Sequence, residues 1–308
     1  AGYGVNPWED GKLTLLKRTS QQISAGSGDV LVRGFTSGAN DYYWNANAAV
    51  LTRRSSAAAS TAVTWGGAAT IQTITSSGTK YYVASTEGIY SGTNAGAGVK
   101  LWNNTDGTTV YTTFKVEYVK QRLMLAANNK IFELGGDPAA PPLNLPGAKY
   151  EHPNINYQWV GFAEGTNAIF AGGHDEYQGH VYKFVLDTSG AVPTLTGGIL
   201  AATLPLGETL LAIHGYLGRY VGLGTSKGVR IATIDDSGDL TYGPLLFEIS
   251  GGGVRCMTGF DRFMWAGATN AVNGKAGLYR IDLSQLIQDP GQSTGVRQAY
   301  ATDLSTLV

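Results

Sequence analysis

A single cysteine, Cys256, stands in 308 residues, so no internal disulfide can staple the fold. Its neighbours Arg255 and Met257 supply no base, and the thiol reads as buried or idle rather than nucleophilic. Charge is scarce as well, at 15% of residues, and almost balanced, with a formal net charge of −1. That balance excludes the basic footprint of a nucleic-acid binder and offers no anchor to an anionic membrane surface. No apolar run approaches the roughly 18 residues of a membrane-spanning helix. The opening AGYGVNPWEDG has neither an initiator Met nor a basic-then-apolar leader. The expectation is a soluble chain, either processed or excised from a longer one. Helical patterning is nearly missing too, with LSQLIQ (283–288) the only plausible turn of helix.

What is plentiful is glycine, 43 residues, together with Thr, Ser, Ala and Asn. These residues suit many short strands joined by tight turns, so the class expected is all-β. Five segments then share one pattern, an apolar pair, two small residues and a turn: YYVAST (81–86), LMLAAN (123–128), IFAGG (169–173), VGLGTS (221–226) and FMWAGA (263–268). Aligned on the first small residue they give Ala84, Ala126, Ala171, Gly224 and Ala266, spaced by 42, 45, 53 and 42 residues. A looser copy, YYWNAN (42–47), places Ala46 another 38 residues upstream.

Each copy is preceded by one alternating strand, such as IQTIT (71–75) or LLAIHGY (210–216), and followed by another, such as KIFEL (130–134) or GVRIATID (228–235). A fourth, more variable segment leads on: VKLWN (99–103), PLNLP (142–146), GILAATLP (198–205), YGPLLFEIS (242–250) and VRQAYA (296–301). Four short strands per repeat of about 44 residues is the signature of a β-propeller blade. The architecture expected is therefore a single propeller over residues 26–308 with about six four-stranded blades. Residues 1–25 form an arm or a ring-closing strand, and a seventh blade arises if GKLTLLKR (11–18) pairs with QAYATDLSTLV (298–308). The small pair on the second strand is expected where neighbouring blades crowd. A pair of β-sandwiches is the rival, but its strands would not recur in sets of four.

VGLGTSKGVRIATIDDSGDLTYGP (221–244) resembles a phosphate loop at first sight. Its Lys227 precedes the last glycine and a β-type segment follows, whereas a phosphate loop and a dinucleotide fingerprint both need a helix there. Turns explain it better. DDSGD (235–239) lacks the alternating oxygen ligands of a calcium loop. No G-x-S-x-G elbow supports a serine nucleophile.

HDEYQGH (174–180) offers His174, Asp175 and His180 as the best metal candidates, weak ones, since no third histidine segment joins them. No metal and no cofactor is expected. Asp41, Glu117, Glu164, Asp175, Glu176 and Asp261 could supply the carboxylate pair of a glycosidase, but the aspartate-box turn of propeller sialidases is matched only by NTDGTTVY (104–111), one residue short. Aromatic and amide residues are in surplus in the expected loops ANDYYWNAN (39–47) and NINYQW (154–159). Rings against sugar faces and amides on hydroxyls make Tyr42, Tyr157 and Tyr177 the glycan-binding candidates, while Trp44, Tyr82 and Trp265 follow the packing pattern.

Residues 203–247, in particular LPLGE, GYLGRYVGLGTSKGVRIA and GDLTYGPL, resemble the repeat region of minor tail proteins of long-tailed bacteriophages infecting actinobacteria. The opening GYGVNPWEDG (2–11) is similar to the start of such tail-tip chains. The resemblance implies a structural virion protein at the tail tip, serving assembly or recognition of the host envelope. Its implied partners are other tail proteins, further copies of itself around the tail axis and a host-envelope glycan, with no nucleic acid and no membrane insertion. Several copies would give weak single contacts avidity. No catalytic residue comes with it. The alternative is a propeller-type glycan hydrolase or lyase acting on cell-wall polysaccharide.

Overall fold

Glycine and Asn-rich turns cut the chain into strands of two to nine residues, each too short to bury a core alone. The structure is a computed structural model, and it describes residues 5–9, 12–15, 35–37, 41–47, 49–54, 60–93, 97–166, 168–187, 194–195, 197–248, 252–260, 262–270, 277–283 and 300–303. A hairpin comes first, β1 (Val5–Glu9) with β2 (Lys12–Leu15). Six antiparallel sheets follow in chain order. The first holds β3 (Phe35–Ser37), β4 (Asp41–Asn47), β5 (Val50–Arg54) and β6 (Ser60–Val63); the second β7 (Ile71–Ser76), β8 (Tyr81–Ser85), β9 (Gly88–Gly92) and β10 (Val99–Asn103). The third holds β11 (Phe114–Val119), β12 (Arg122–Ala127), β13 (Lys130–Leu134) and β14 (Tyr150–Glu151). The fourth holds β15 (Gln158–Glu164), β16 (Ala168–His174), β17 (Gly179–Asp187), β18 (Thr194–Leu195) and β19 (Ile199–Thr203). The fifth holds β20 (Leu210–Tyr216), β21 (Tyr220–Thr225), β22 (Gly228–Ile234), β23 (Leu240–Tyr242) and β24 (Phe247–Glu248). The sixth holds β25 (Gly252–Phe260), β26 (Phe263–Asn270), β27 (Gly277–Asp282) and β28 (Tyr300–Asp303). Among the described residues no helix is long and apolar enough to cross a membrane.

The core is divided between the sheets rather than held inside any of them. Leu51 and Trp65 pack on Ile74, Tyr81 and Val83 between the first and second sheets. Tyr82, Ala84 and Trp102 meet Phe114, Leu125 and Phe132 between the second and third. Met124 and Ile131 meet Trp159, Phe162 and Ala171 between the third and fourth, and Phe170 and Val181 meet Leu210 and Leu223 between the fourth and fifth. Val229 meets Val254 and Met264 between the fifth and sixth. Each sheet thus buries its faces on its neighbours, which is what a blade does. The fold is a β-propeller.

Edge strands need partners, and the second sheet supplies them from side chains. Gln72, Thr73 and Thr75 accept the N–H groups of Phe114, Val116 and Tyr118 at 2.5, 2.9 and 3.1 Å, so one blade's first strand satisfies the exposed ladder of the next. PLNLP (142–146), expected as the fourth strand of its own unit, departs from that expectation. Pro142 and Pro146 have no N–H to give a ladder, and Leu143 instead bridges Trp102 in parallel, donating to Leu101 and accepting from Asn103 at 3.0 and 2.7 Å. The segment thereby ties the third blade's loop to the second blade, and β14 takes the fourth place. The pairing that would close a seventh blade does not occur among the described residues: β2 pairs β1, and β28 pairs β27.

The small residues of the second strands lie where the blades crowd, but two of them shift by one position. A bulge interrupts the first strand at Gln72, Val160, Leu211 and Arg255, between pairs that are regular on either side. The residues paired just inside those bulges are Ala84, Gly172, Gly224 and Gly267, so Gly172 and Gly267 replace Ala171 and Ala266 as the true equivalents. A one-residue slip changes the face: Ala171 packs toward the third blade, whereas a Cβ on Gly172 would strike Leu210 Cδ2 of the fifth at 2.5 Å. Gly224 likewise abuts Val254 of the sixth blade, whose carbonyl oxygen would lie 2.7 Å from an added Cβ. The turn after Gly224 is closed locally. Buried Thr225 accepts the N–H groups of Lys227 and Gly228 through Oγ1, both at 3.1 Å, as Ser85 accepts that of Glu87 at 3.2 Å in the second blade.

Candidate functional site

The bulges matter because the extra residue leaves the ladder and is re-aimed. Val160, Leu211 and Arg255, from the first strands of the fourth, fifth and sixth blades, line a common cleft with Lys115 from the unbulged first strand of the third. Four blades meeting at one cavity through their first strands place it on the propeller axis. Its volume is about 720 Å³, enough for a short oligosaccharide. Lys115 and Arg255 come from the third and sixth of the described blades and line this one cleft, near enough for the Arg255 charge to act on Lys115. Loss of solvent, and secondarily the Arg255 guanidinium, hold the Lys115 ammonium below its ordinary value.

One wall is built by the third and fourth blades. The turn at Asn128, with φ of 52°, the loop before β15 and the first residue of β15 bring the exposed residues Asn128, Asn156 and Gln158 to the cleft. Below them lie Tyr157 and Trp159, 1% and 4% exposed. Tyr157 stacks on His152 with centroids 3.8 Å apart and meets Trp159 edge-on at 4.8 Å, and His152 Nε2 shares a 2.9 Å hydrogen bond with the Tyr182 hydroxyl. Burial pushes the Tyr157 phenol well above its ordinary value, so it remains a donor. The Tyr157 hydroxyl and the Trp159 indole N–H are both buried and have no hydrogen-bond partner among the described residues. Buried donors of that kind are costly to leave unpaired, and both belong to residues that line the cleft.

Of the three aromatic candidates, then, Tyr157 lines the cleft, but as a buried ring under the rim rather than a free one. The loop sequence could not distinguish the two, because an aromatic next to a β-strand serves either purpose. Tyr177 is exposed at 67% on the β16–β17 turn and is not part of the cleft wall. The side chain of Tyr42 lies outside the described residues.

HDEYQGH does not gather ligands. His174 pairs with Gly179 and His180 with Gly173, so the two imidazoles leave opposite faces of one hairpin. His174 lines the cleft with Nδ1 on the Asp175 carbonyl oxygen at 2.7 Å, while His180 packs near Tyr157 with Nδ1 buried and unpartnered among the described residues. The Asp175 carboxylate accepts the N–H groups of Tyr177 and Gln178 at 2.9 and 2.8 Å, which holds its turn and lowers its pKa. Among the described residues no three His, Cys, Asp or Glu side chains group as metal ligands.

Carboxylates are few at the cleft. Of the acidic residues suited by sequence to glycoside hydrolysis, Glu176 alone lines it among the described residues, and Glu151, the other wall carboxylate, lies 3.8 Å from Lys130. Glu164 is held elsewhere, by the Lys120 N–H at 2.9 Å. The aspartate-box look-alike is a self-closed turn in which Asp106 accepts from Thr108, Thr109 and the Tyr111 hydroxyl, with its pKa driven well down by the Thr109 N–H first of all. Cys256 is exposed as a residue, yet its thiol lies against Gly267 and is raised above its ordinary value by desolvation, which suits an unreactive group. The sequence marks neither Lys115 nor Arg255 as a cleft residue. Lys115 sits in plain alternation in FKVEYV, and a bulge leaves no mark except one residue too many before the next apolar position.

No protein-family model matches the sequence, and no curated protein does. Solved structures do. The extracellular domain of BT4673 from B. thetaiotaomicron is similar at a TM-score of 0.61 and 10% identity, over 87% of this chain and 35% of that one. This chain therefore spans about a third of that domain's length. A catalytically inactive virginiamycin B lyase from Staphylococcus aureus with quinupristin is similar at 0.55 and 15% identity, over 87% and 82%. The Dos1 propeller is similar at 0.50 and 13%, over 88% and 72%. At such identities the likeness extends to the propeller fold and no further.

Proposed function

We propose that this chain is a non-catalytic recognition module of a bacteriophage tail tip, which binds a host cell-envelope glycan in its axial cleft and joins other tail proteins around the tail axis. The observation that carries this reading is the cleft wall, where the amides of Asn128, Asn156 and Gln158 stand above two buried, unpartnered donors on Tyr157 and Trp159. Sugars are held by such a combination of aromatic and amide groups. The tail placement is supported by the resemblance of residues 203–247 to phage tail repeats. The test is binding of the purified chain to polysaccharide extracted from actinobacterial envelopes, with released reducing sugar assayed in parallel. Binding without release is expected. Absence of binding would confine the chain to tail assembly, and sugar release suppressed by Glu151→Gln or Glu176→Gln would favour the hydrolase alternative.

A further inference from the structure

Most basic side chains in the described residues have an acidic partner. Lys80 meets Asp137, Lys120 meets Glu164, Lys183 meets Asp239, Arg219 meets Asp236 and Arg230 meets Glu208. Lys130, at the rim of the cleft, lies near both Asp106 and Glu151, at 3.9 and 3.8 Å. Lys100, Lys115, Lys149, Lys227, Arg255 and Arg280 have no such partner among the described residues, and of these only Lys115 and Arg255 line the cleft. These two line the same cavity from the third and sixth described blades, and neither side chain forms an ion pair or a hydrogen bond among the described residues. Of the two carboxylates on the cleft wall, Glu151 is committed to Lys130 and Glu176 belongs to the β16–β17 turn. Loss of water first, and the Arg255 charge second, lower the Lys115 ammonium, so the two cations repel where they meet at the cleft. At the matching bulges the fourth and fifth blades carry apolar Val160 and Leu211, and the second carries Gln72, whose amide is bonded to Thr112 and Phe114, whereas the exposed Arg255 has no such bond among the described residues and lines the cleft.

We propose that Lys115 and Arg255 form an oxyanion site at the centre of the cleft, so that the glycan bound there is an acidic one carrying a carboxylate or phosphate group. This rests on the reading of the cleft as a glycan site and narrows it. The guanidinium fork of Arg255 takes two oxygens of a planar carboxylate or of a phosphate, and the Lys115 ammonium takes one. The anion relieves the repulsion between them. The neutral part of the sugar then lies along the Tyr157 and Trp159 wall, and Val160 and Leu211 supply apolar surface beside it.

Three dextrans of matched length, neutral, carboxymethylated and phosphorylated, separate charge from sugar, and each is titrated into the whole chain by calorimetry alongside the envelope polysaccharide. A charged dextran is expected to bind at least about tenfold tighter than the neutral one, with affinity falling as salt rises. Lys115→Gln and Arg255→Gln are each expected to weaken charged-dextran binding about tenfold or more, and neutral-dextran binding by much less. Both variants relieve a like-charge contact, so they should fold, and their urea midpoints check that they do. Equal binding of charged and neutral dextrans, or charged binding untouched by both variants, overturns the oxyanion site. Envelope binding that survives both variants leaves the glycan reading standing and the acidic one lost. Charged dextrans bound through Lys115 and Arg255, with no envelope polymer bound, would uphold the oxyanion site and remove the envelope glycan as its ligand.

Discussion

Arg230 grips Glu208 through two parallel hydrogen bonds, Nε to Oε1 at 2.9 Å and Nη2 to Oε2 at 2.8 Å, with the carboxylate side chain 4% exposed. The same guanidinium reaches the Gly243 carbonyl at 3.1 Å and lies 5.4 Å from the Tyr242 ring centroid, whose hydroxyl donates to Thr203. LPLGE, GVRIA and TYGPL, distant in sequence, are thus joined at one charged clasp of the fifth blade.

Removing one member strands the other in a dry setting. Glu208→Ala is expected to cost about 3 kcal/mol, read as a lowered urea midpoint at unchanged m. Replacing both, as Glu208→Leu with Arg230→Met, should recover most of that loss, because an apolar pair asks for no desolvation. A double variant as unstable as the single one would show that the clasp's hydrogen bond to Gly243, and not the ion pair, dominates.

Gly224 tests the blade spacing. A Cβ there would lie 2.7 Å from the Val254 carbonyl oxygen and 2.8 Å from its Cγ1, so two blades must part to admit it. Gly224→Val is expected to destabilise by about 1–3 kcal/mol. Gly147→Ala, where nothing lies within 4 Å, should stay within about 0.5 kcal/mol of the parent. Equal midpoints for the two variants would mean that the second-strand glycines do not set the approach of the blades.

The glycines also mark how far the sequence could be read. The four-strand period was legible because second strands repeat an apolar pair before small residues, and the residues that carry it, Val83, Leu125, Phe170, Leu223 and Met264, are buried between blades. The register within the period was not, in the fourth and sixth units. IFAGG and FMWAGA contain three small residues in a row, and only the bulges opposite them decide that Gly172 and Gly267 face the next blade. The same bulges hid the cleft, since Arg255 reads as one more residue in VRCMTGF until the strand pairing exposes it. The loop 154–157 was legible as a place of interest, but the burial of Tyr157 depends on His152 and Tyr182, which sequence leaves unconnected.

Acid should loosen the aromatic wall before it titrates the carboxylates. Desolvation lowers His152 and His180 below the ordinary histidine value of 6.5; the hydrogen bond with the Asn154 backbone and, least, the Asp175 charge oppose it at His152, and the Asp175 charge opposes it at His180. A histidine whose folded pKa is depressed leaves the unfolded chain to take up protons first. Stability is therefore full above about pH 6.5 and declines as pH falls through that value toward the folded one. The urea midpoint at about pH 5.5 is expected to lie below that at about pH 7.5, and His180→Asn should shrink the difference. A midpoint that does not move between the two pH values would show that both imidazoles charge freely in the folded chain.

Tyr157 separates the binding role proposed for the wall from its structural one. Its ring is fixed by stacking on His152 and by edge contact with Trp159, and its hydroxyl makes no bond among the described residues. Tyr157→Phe keeps the ring and removes a buried donor that contributes nothing to the fold, so stability should hold or rise by up to about 1 kcal/mol. If the hydroxyl donates to a sugar oxygen in the cleft, the same change should weaken envelope-polysaccharide binding about tenfold, since a ligand oxygen then loses its partner. Most buried tyrosine hydroxyls show the opposite pair of effects, a loss of stability and no loss of binding. A Phe variant that binds as tightly as the parent would remove Tyr157 from the recognition surface and leave the rim amides and the axial cations to hold the ligand.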